Sequence, residues 1–483
     1  MRFKRFFLLF CIIFLCFLGF RYRLRQYQSI PPVSTTFDEQ GYLWLGKSIL
    51  NTGIPANWSA LDIYQDSSED NQLVYFQDYN LFYGSQSPSI KNWSNFPHPL
   101  YRSIESKIDG YQSQFLIVQP YLDNPPLFGV ILAIFDNGTT ALRSSVKNIR
   151  LFPIVTSIVT ITFIFIYCYQ QFNFTTAIIS SLIFALGPAF VISNRLALPE
   201  NLIATLLILC LFLNTKSKYH KLARYLTYFI CFLCPLIKIS ALIIPASLIL
   251  IDFYIKKELN FRLMLVTLLG LFTYIGYGFL LDKNILIQMF VNQGQRQFLG
   301  PISMLIKAIY PQIPFPYFDG WIIFAYFSII IISINKISNK TKPLLIAFIT
   351  HTIFFLLFGG NNFPWYQWII YPLLAICCGV VISYSFNKFS QTIIFPFFII
   401  VFSSLNYYAR YGIDWGKYLN TFRLLIVVFL IIPFIPSIFK NRSKVFSKLS
   451  LFIMFIISLF YSIQIINNFQ SIWPILLNKH YPI

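Results

Sequence analysis

Two adjacent carboxylates, Asp38 and Glu39, sit in the run Phe37-Asp38-Glu39-Gln40-Gly41-Tyr42, just after the first apolar segment of a 483-residue chain. A carboxylate at a membrane interface is partly desolvated, which raises its proton affinity and suits it to take a proton from a hydroxyl. On this reading Asp38 is the base and Glu39 a supporting or positioning carboxylate. The competing reading makes Asp38 the cap of a helix beginning at Gln40, a position that favours Asp. One side chain can do both. Farther along, Glu200 follows Pro199 at the expected outer mouth of a span, where a carboxylate is costly and usually functional. With Arg195 nearby it is either a second acidic site or half of a structural ion pair. The basic candidates for contact with an anionic group are Lys238, Arg296 and Arg195, a guanidinium matching phosphate geometry. Lys238 lies at a turn between two apolar runs and would equally snorkel to headgroups; Arg296, in Gln293-Gly-Gln-Arg-Gln297, would equally be a solvated loop charge.

Other candidates read more blandly. His98, between two prolines, is expected at the surface. Tyr42, Trp44 and Trp58 can stack on a sugar ring, although Trp and Tyr are also the usual residues of interfacial belts. Asp62, Asp66, Glu69 and Asp70 form a solvated acidic patch, so neither a metal nor another cofactor is expected. All eight cysteines fall within apolar runs, which implies no disulfide framework. Cys231 and Cys234 have CxxC spacing but read as small apolar residues of a helix.

The elements that must position these groups are mostly apolar. Hydrophobic residues make up 57% of the chain, charged residues 11%, and mean hydropathy is +0.64. Soluble domains carry about 25% charged residues; this is the composition of an all-α polytopic membrane protein. About thirteen apolar runs approach the roughly 20 residues that cross a bilayer: 6–20, 151–169, 176–192, 198–213, 225–237, 239–255, 263–281, 321–334, 344–358, 366–384, 391–405, 422–438 and 449–467. The net charge of +20 does not point to nucleic acid. If every run crosses, the clusters Arg2/Lys4/Arg5, Lys216/Lys218/Lys221/Arg224, Lys256/Lys257/Arg262, Lys336/Lys340/Lys342 and Lys440/Arg442/Lys444/Lys448 all share the side of the N-terminus. By the positive-inside rule that side is cytoplasmic. Fifteen of the seventeen carboxylates then lie outside, eleven of them between Asp38 and Asp136. An integral protein of the plasma (inner) membrane with its site on the extracytoplasmic face is expected.

Four regions follow. Residues 1–23 form an anchor, uncleaved because no small-residue cleavage site follows it, with its outer basic residues snorkelling to headgroups. Residues 24–150 form a large outer loop, residues 151–385 a membrane core, and residues 386–483 C-terminal spans. Within the loop, Gln40–Leu50 and Leu127–Phe135 read as helices lying flat on the membrane, and 57–115 as irregular.

Several landmarks taken in order resemble a family. Asp38-Glu39-x-x-Tyr42 with Gly46, Ile49-Leu50 and Gly53-x-Pro55 resembles the first outer loop of the dolichyl-phosphate-mannose protein mannosyltransferases and the aminoarabinose transferases, within the GT-C superfamily. Asn124-Pro125-Pro126-Leu127 resembles their x-Pro-Pro-Leu element, and Leu142-Arg143 to Arg150-Leu151 their Arg-Leu entry to a span. Gly187 to Glu200 resembles the turn carrying their second acidic residue. Leu236-Ile237-Lys238 resembles their Leu-Thr-Lys turn, and Phe363-Pro364-Trp365-Tyr366 with Tyr371-Pro372 their late Pro-Trp-Tyr span. The resemblance implies a hexosyl- or pentosyltransferase that moves a sugar from a polyprenyl phosphate to a hydroxyl of a glycan, lipid or protein. It implies Asp38 and Glu39 as catalytic, and Tyr42, Asn124, Trp365 and Tyr366 as lining the substrate. One base without a carboxylate nucleophile implies inversion. The chain departs at Asn124, where those families carry Lys or His, and it lacks an inserted lectin-like domain. The alternative, a transporter or flippase of lipid-linked glycans, would bury charges mid-span; a polymerase or ligase using a polyprenyl diphosphate would place its key loop late in the chain.

Overall fold

The computed structural model describes residues 2–31, 38–59, 102–108, 111–118, 120–136, 146–217, 220–294, 319–335, 337–358, 364–387 and 443–470, with 420, 423, 424 and 427. Its body is a bundle of apolar helices. In chain order these are α1 (Arg2–Leu24), α2 (Asp38–Thr52), α3 (Leu127–Phe135), α4 (Leu151–Gln171), α5 (Phe174–Leu186), α6 (Pro188–Ser193) and α7 (Pro199–Lys216). There follow α8 (Lys221–Ile237), α9 (Ile243–Ile251), α10 (Phe261–Gly294), α11 (Gly320–Asn335), α12 (Lys342–Phe358), α13 (Tyr371–Asn387) and α14 (Ser443–Asn467). Seven helices among the described residues are long and apolar enough to cross a membrane, and the apolar helices Phe174–Leu186 and Gly320–Asn335 are shorter. The protein is an integral membrane protein. Expected spans 391–405 and most of 422–438 lie outside the described residues.

The helix boundaries follow local chemistry. Asn173 caps α5, its side chain accepting from the Thr176 N–H at 2.8 Å. Gly187-Pro188 then divides the expected span 176–192 into α5 and α6, because proline cannot donate the hydrogen bond that would continue a helix. Proline at the first position of α7 suits a helix start, where its missing N–H costs nothing. Lys238 ends α8 in an extended conformation, and Asp282 interrupts α10 the same way. Asp282 Oδ1 accepts from Ile285 N at 2.9 Å, so the helix restarts at once.

Among the described residues, the outer loop is not wholly helical. Its two expected helices are present as α2 and α3. They cross at a glycine pair: a Cβ on Gly46 would lie 1.9 Å from the Gly129 carbonyl oxygen, and one on Gly129 2.7 Å from that of Tyr42. Only glycine permits this approach. A buried ion pair, Lys47 Nζ to Asp136 at 2.9 Å, clamps the same two helices. Between them runs a three-stranded antiparallel sheet of β1 (Asn57–Ser59), β2 (Arg102–Ile108) and β3 (Tyr111–Val118), with β3 central. Trp58 and Arg102 both pair with Ile117. The expectation of an irregular 57–115 is corrected here, because backbone pairing organises the two ends of that polar stretch; the fold remains that of an all-α polytopic membrane protein.

Candidate active site

The first element of the site is the start of α2, where Asp38 is half-buried and Glu39 wholly buried. Their fates differ. Glu39 is held by Arg150, immediately before α4: Nε lies 3.0 and 3.1 Å from the two carboxylate oxygens and Nη2 2.6 Å from Oε2. The Ala197 N–H donates to Oε1 at 2.8 Å. Arg150 spends Nη1 on the carbonyls of Tyr27 and Pro31. Both side chains are fully buried, and Glu39 thus ties α2 to α4 and to the 194–198 loop.

The second element is the turn after α8. Lys238 Nζ lies 2.5 Å from Glu200 Oε1, with the lysine side chain 16% exposed and the glutamate 0%. The ammonium sits 5.4 Å from the Tyr366 ring centroid, and its charge acts on the Tyr42 hydroxyl. Burial alone would lower the Lys238 pKa, but Glu200, Tyr42 and Tyr366 outweigh it and hold the ammonium above its ordinary range. An ammonium has three donors, and the bond to Glu200 uses one of them.

The third element is the loop between β3 and α3. Tyr42 Oη donates to Asn124 Oδ1 at 3.3 Å, and Asn124 Nδ2 donates to Tyr121 Oη at 2.6 Å. The loop is pinned by Tyr121 N to Pro55 O at 2.8 Å and by Tyr274 Oη to Leu122 O at 2.9 Å. Burial pushes both the Tyr42 and the Tyr121 phenols up, so both keep their protons. The charge of Asp38 is felt at both. Tyr42 packs edge-on against Phe128, with centroids 5.2 Å apart.

The structure therefore gathers Asp38, Tyr42, Asn124, Glu200, Lys238 and Tyr366, with Trp365 buried beside Tyr366 in a 3-10 turn, Pro364–Ile370. Arg195 does not join them. Its Nη1 and Nη2 donate to the carbonyls of Ile30 and Tyr22, and its guanidinium lies over Phe469. The ion pair considered for Glu200 forms with Lys238 instead. Arg23, expected to snorkel, is fully buried and donates to the last carbonyls of α5, Phe184 and Ala185 at 2.8 and 3.0 Å. A cation there complements the helix dipole. Arg296, His98 and the acidic patch at Asp62–Asp70 lie outside the described residues, as does the side chain of Trp58. Sequence reasoning missed Tyr121, Asp123 and Arg150 as parts of this site. The run Tyr121-Leu-Asp123-Asn124 before two prolines was the available signal; nothing in the sequence pairs Arg150 with a glutamate 111 positions away.

All eight cysteines are free thiols. Among the described residues no group of three or more His, Cys, Asp or Glu side chains could hold a metal ion.

The chain matches no protein-family model and no curated protein. It is similar to the crystal structure of ArnT from Cupriavidus metallidurans bound to undecaprenyl phosphate: TM-score 0.50, 11% identity, covering 90% of this chain and 73% of that one. The fold is GT-C-like. The apo oligosaccharyltransferase of Archaeoglobus fulgidus matches with TM-score 0.46 at 12% identity, over 93% of this chain and 56% of that one. Within this GT-C-like frame, α2, the loop before α3 and the turn after α8 carry the gathered residues.

Proposed function

We propose that the protein is a glycosyltransferase that moves a sugar from a polyprenyl-phosphate donor to an acceptor hydroxyl on the extracytoplasmic face, with inversion at the anomeric carbon. The observation that carries this reading is the joint placement, in a GT-C-like fold, of half-buried Asp38 with the Lys238–Glu200 pair across Tyr42. Asp38 takes the acceptor's proton as the new C–O bond forms; the departing lipid phosphate keeps the electrons of the broken bond and needs cationic or hydrogen-bonding support, not an acid. Lys238 supplies it. Glu39 acts through position alone. The ArnT structure holds undecaprenyl phosphate, the class of carrier proposed here. Among the described residues, the buried carboxylates and arginines that would mark a transport path lie instead at or between helix ends: Arg23, Glu39, Arg150, Arg195, Glu200, Asp252 and Asp319. That favours the enzyme over the flippase.

Native mass spectrometry of protein purified in mild detergent tests the reading. A co-purified polyprenyl phosphate, with or without its sugar, is expected, and its retention should fall in Lys238→Met. Proteoliposomes that move a lipid-linked glycan across the bilayer without transferring its sugar would overturn the proposal.

A further inference from the structure

We propose that Glu200 sets the charge selectivity of the phosphate site: paired with Lys238, it lets the site hold a phosphodiester of one negative charge and loosens its hold on the phosphomonoester that transfer leaves behind. The inference rests on the polyprenyl-phosphate donor proposed above. The step itself creates the difference. In the donor the phosphate is esterified twice, to the polyprenol and to the sugar, and carries one charge. When the acceptor oxygen bonds to the anomeric carbon, the bond from that carbon to the phosphate oxygen breaks. Its electrons stay with the phosphate, and the acceptor's proton goes to Asp38. The product is a monoester whose second ionisation falls at about pH 6, so above neutral pH it carries two charges. A lone cation would hold this product more tightly than the donor, and the spent carrier would block the site.

Lys238 is not a lone cation. Its Nζ lies 2.5 Å from Glu200 Oε1, and of the two side chains the lysine is partly exposed while the glutamate is sealed. An anion entering from outside therefore meets the ammonium first, with the carboxylate one hydrogen bond behind it. Among the described residues no donor reaches Glu200 Oε2, so hydrogen bonding offsets the glutamate's charge only through Lys238. Buried charges are screened far less than exposed ones, and the field of the carboxylate extends to whatever Lys238 binds. Its backbone is also fixed. Pro199 starts α7 and puts Glu200 in the first turn, where the helix dipole favours an acid. Asn201 Nδ2 donates to the carbonyls of Ser193 and Leu196 at 2.9 and 2.8 Å, and its Oδ1 accepts from Asn194 Nδ2 at 2.8 Å. That latch ties the first turn of α7 to the loop before it and keeps Glu200 behind the lysine. The other titratable groups that act on Lys238 are the phenols of Tyr42 and Tyr366. Each negative charge on a bound phosphate is attracted by Lys238 and repelled by the more distant Glu200, so the second charge gains little.

The test isolates charge and needs no sugar. Its probes are undecaprenyl phosphate, a dianion at about pH 8, and the methyl ester of that phosphate, a monoanion with the same tail. Dissociation constants for both are measured at that pH on the full chain in detergent, native and Glu200→Gln. The native protein should bind the two probes within about threefold of each other. In Glu200→Gln the preference should move roughly tenfold or more toward the monoester, because the neutral amide no longer opposes its second charge. Thermal unfolding shows whether the variant folds; if it does not, the native comparison carries the test. A native protein that prefers the monoester by about tenfold or more, or a folded Glu200→Gln that keeps the native ratio, would overturn the proposal. A native protein that binds neither probe would instead refute the polyprenyl-phosphate reading, and the inference with it.

Discussion

Of the two adjacent carboxylates that open α2, Asp38 stays half-buried beside the gathered polar groups, and Glu39 is consumed by Arg150 and the Ala197 N–H. The pair was legible in the sequence, but the division of labour was not, because the guanidinium that separates them arrives from 111 residues downstream. Removing one member of a buried pair leaves an uncompensated charge at a cost of about 3–5 kcal/mol. Glu39→Ala and Arg150→Ala should each lower thermal stability in detergent by that order. The double substitution should cost less than the sum of the two. Strict additivity would show that the contact contributes nothing. Glu39→Gln, which retains hydrogen bonding to Arg150, should slow transfer less than any change at Asp38. Lys238, read as either a phosphate contact or a snorkelling cation, is paired with Glu200 and lies over the Tyr366 ring, neither of which the sequence announced.

At the scale of elements, apolar run length located the seven helices that are long and apolar enough to cross a membrane among the described residues, and the structure differs mainly where one residue changes the backbone. Gly187-Pro188 cuts a span in two, and α10 continues past its apolar run to Gly294. The place of β1 in the small sheet was invisible because it pairs with residues about 60 positions away, whereas the β2–β3 pair carried a signal that went unread, Asp109-Gly110 between two β-capable runs. Gly46 was noticed as a landmark, yet its reason, the carbonyl of Gly129, lies on another helix. Asp319 is another joint of this kind. Its carboxylate accepts from Trp321 N and Ile322 N at the start of α11 and from Ala189 N in α6, at 2.9, 3.1 and 2.9 Å. Burial raises its pKa from 3.8 to about 6 despite those bonds. The native state therefore binds this proton more tightly than the unfolded chain, so the group's contribution to stability falls as pH rises between those two values and stays at the lower level above them. Melting temperatures of the native protein, compared with Asp319→Asn across that interval, should show the difference declining with pH. A difference independent of pH, or one that grows, would contradict the assignment.

At the scale of the molecule, a GT-C-like fold was legible from an ordered series of weak landmarks: no one of them was specific, and their sequence along the chain was. The orientation proposed for it rests on loop charge. Single cysteines at Ser67 and Asn292 should react with an impermeant thiol reagent in intact cells, and those at Ser217 and Ser443 should not; labelling at Ser217 without Ser67 would invert the topology and move the site to the cytoplasm. The central claim is that Asp38 is the base of a sugar transfer. Its most direct test is transfer of labelled sugar from a polyprenyl-phosphate carrier by Asp38→Asn, run beside thermal stability. The substitution keeps the shape of the side chain and its capacity to cap α2, but removes its ability to take a proton. Stability and carrier binding should be retained while transfer falls by roughly 100-fold or more. A stable Asp38→Asn that transfers at the native rate would contradict the account and leave Asp38 as a helix cap.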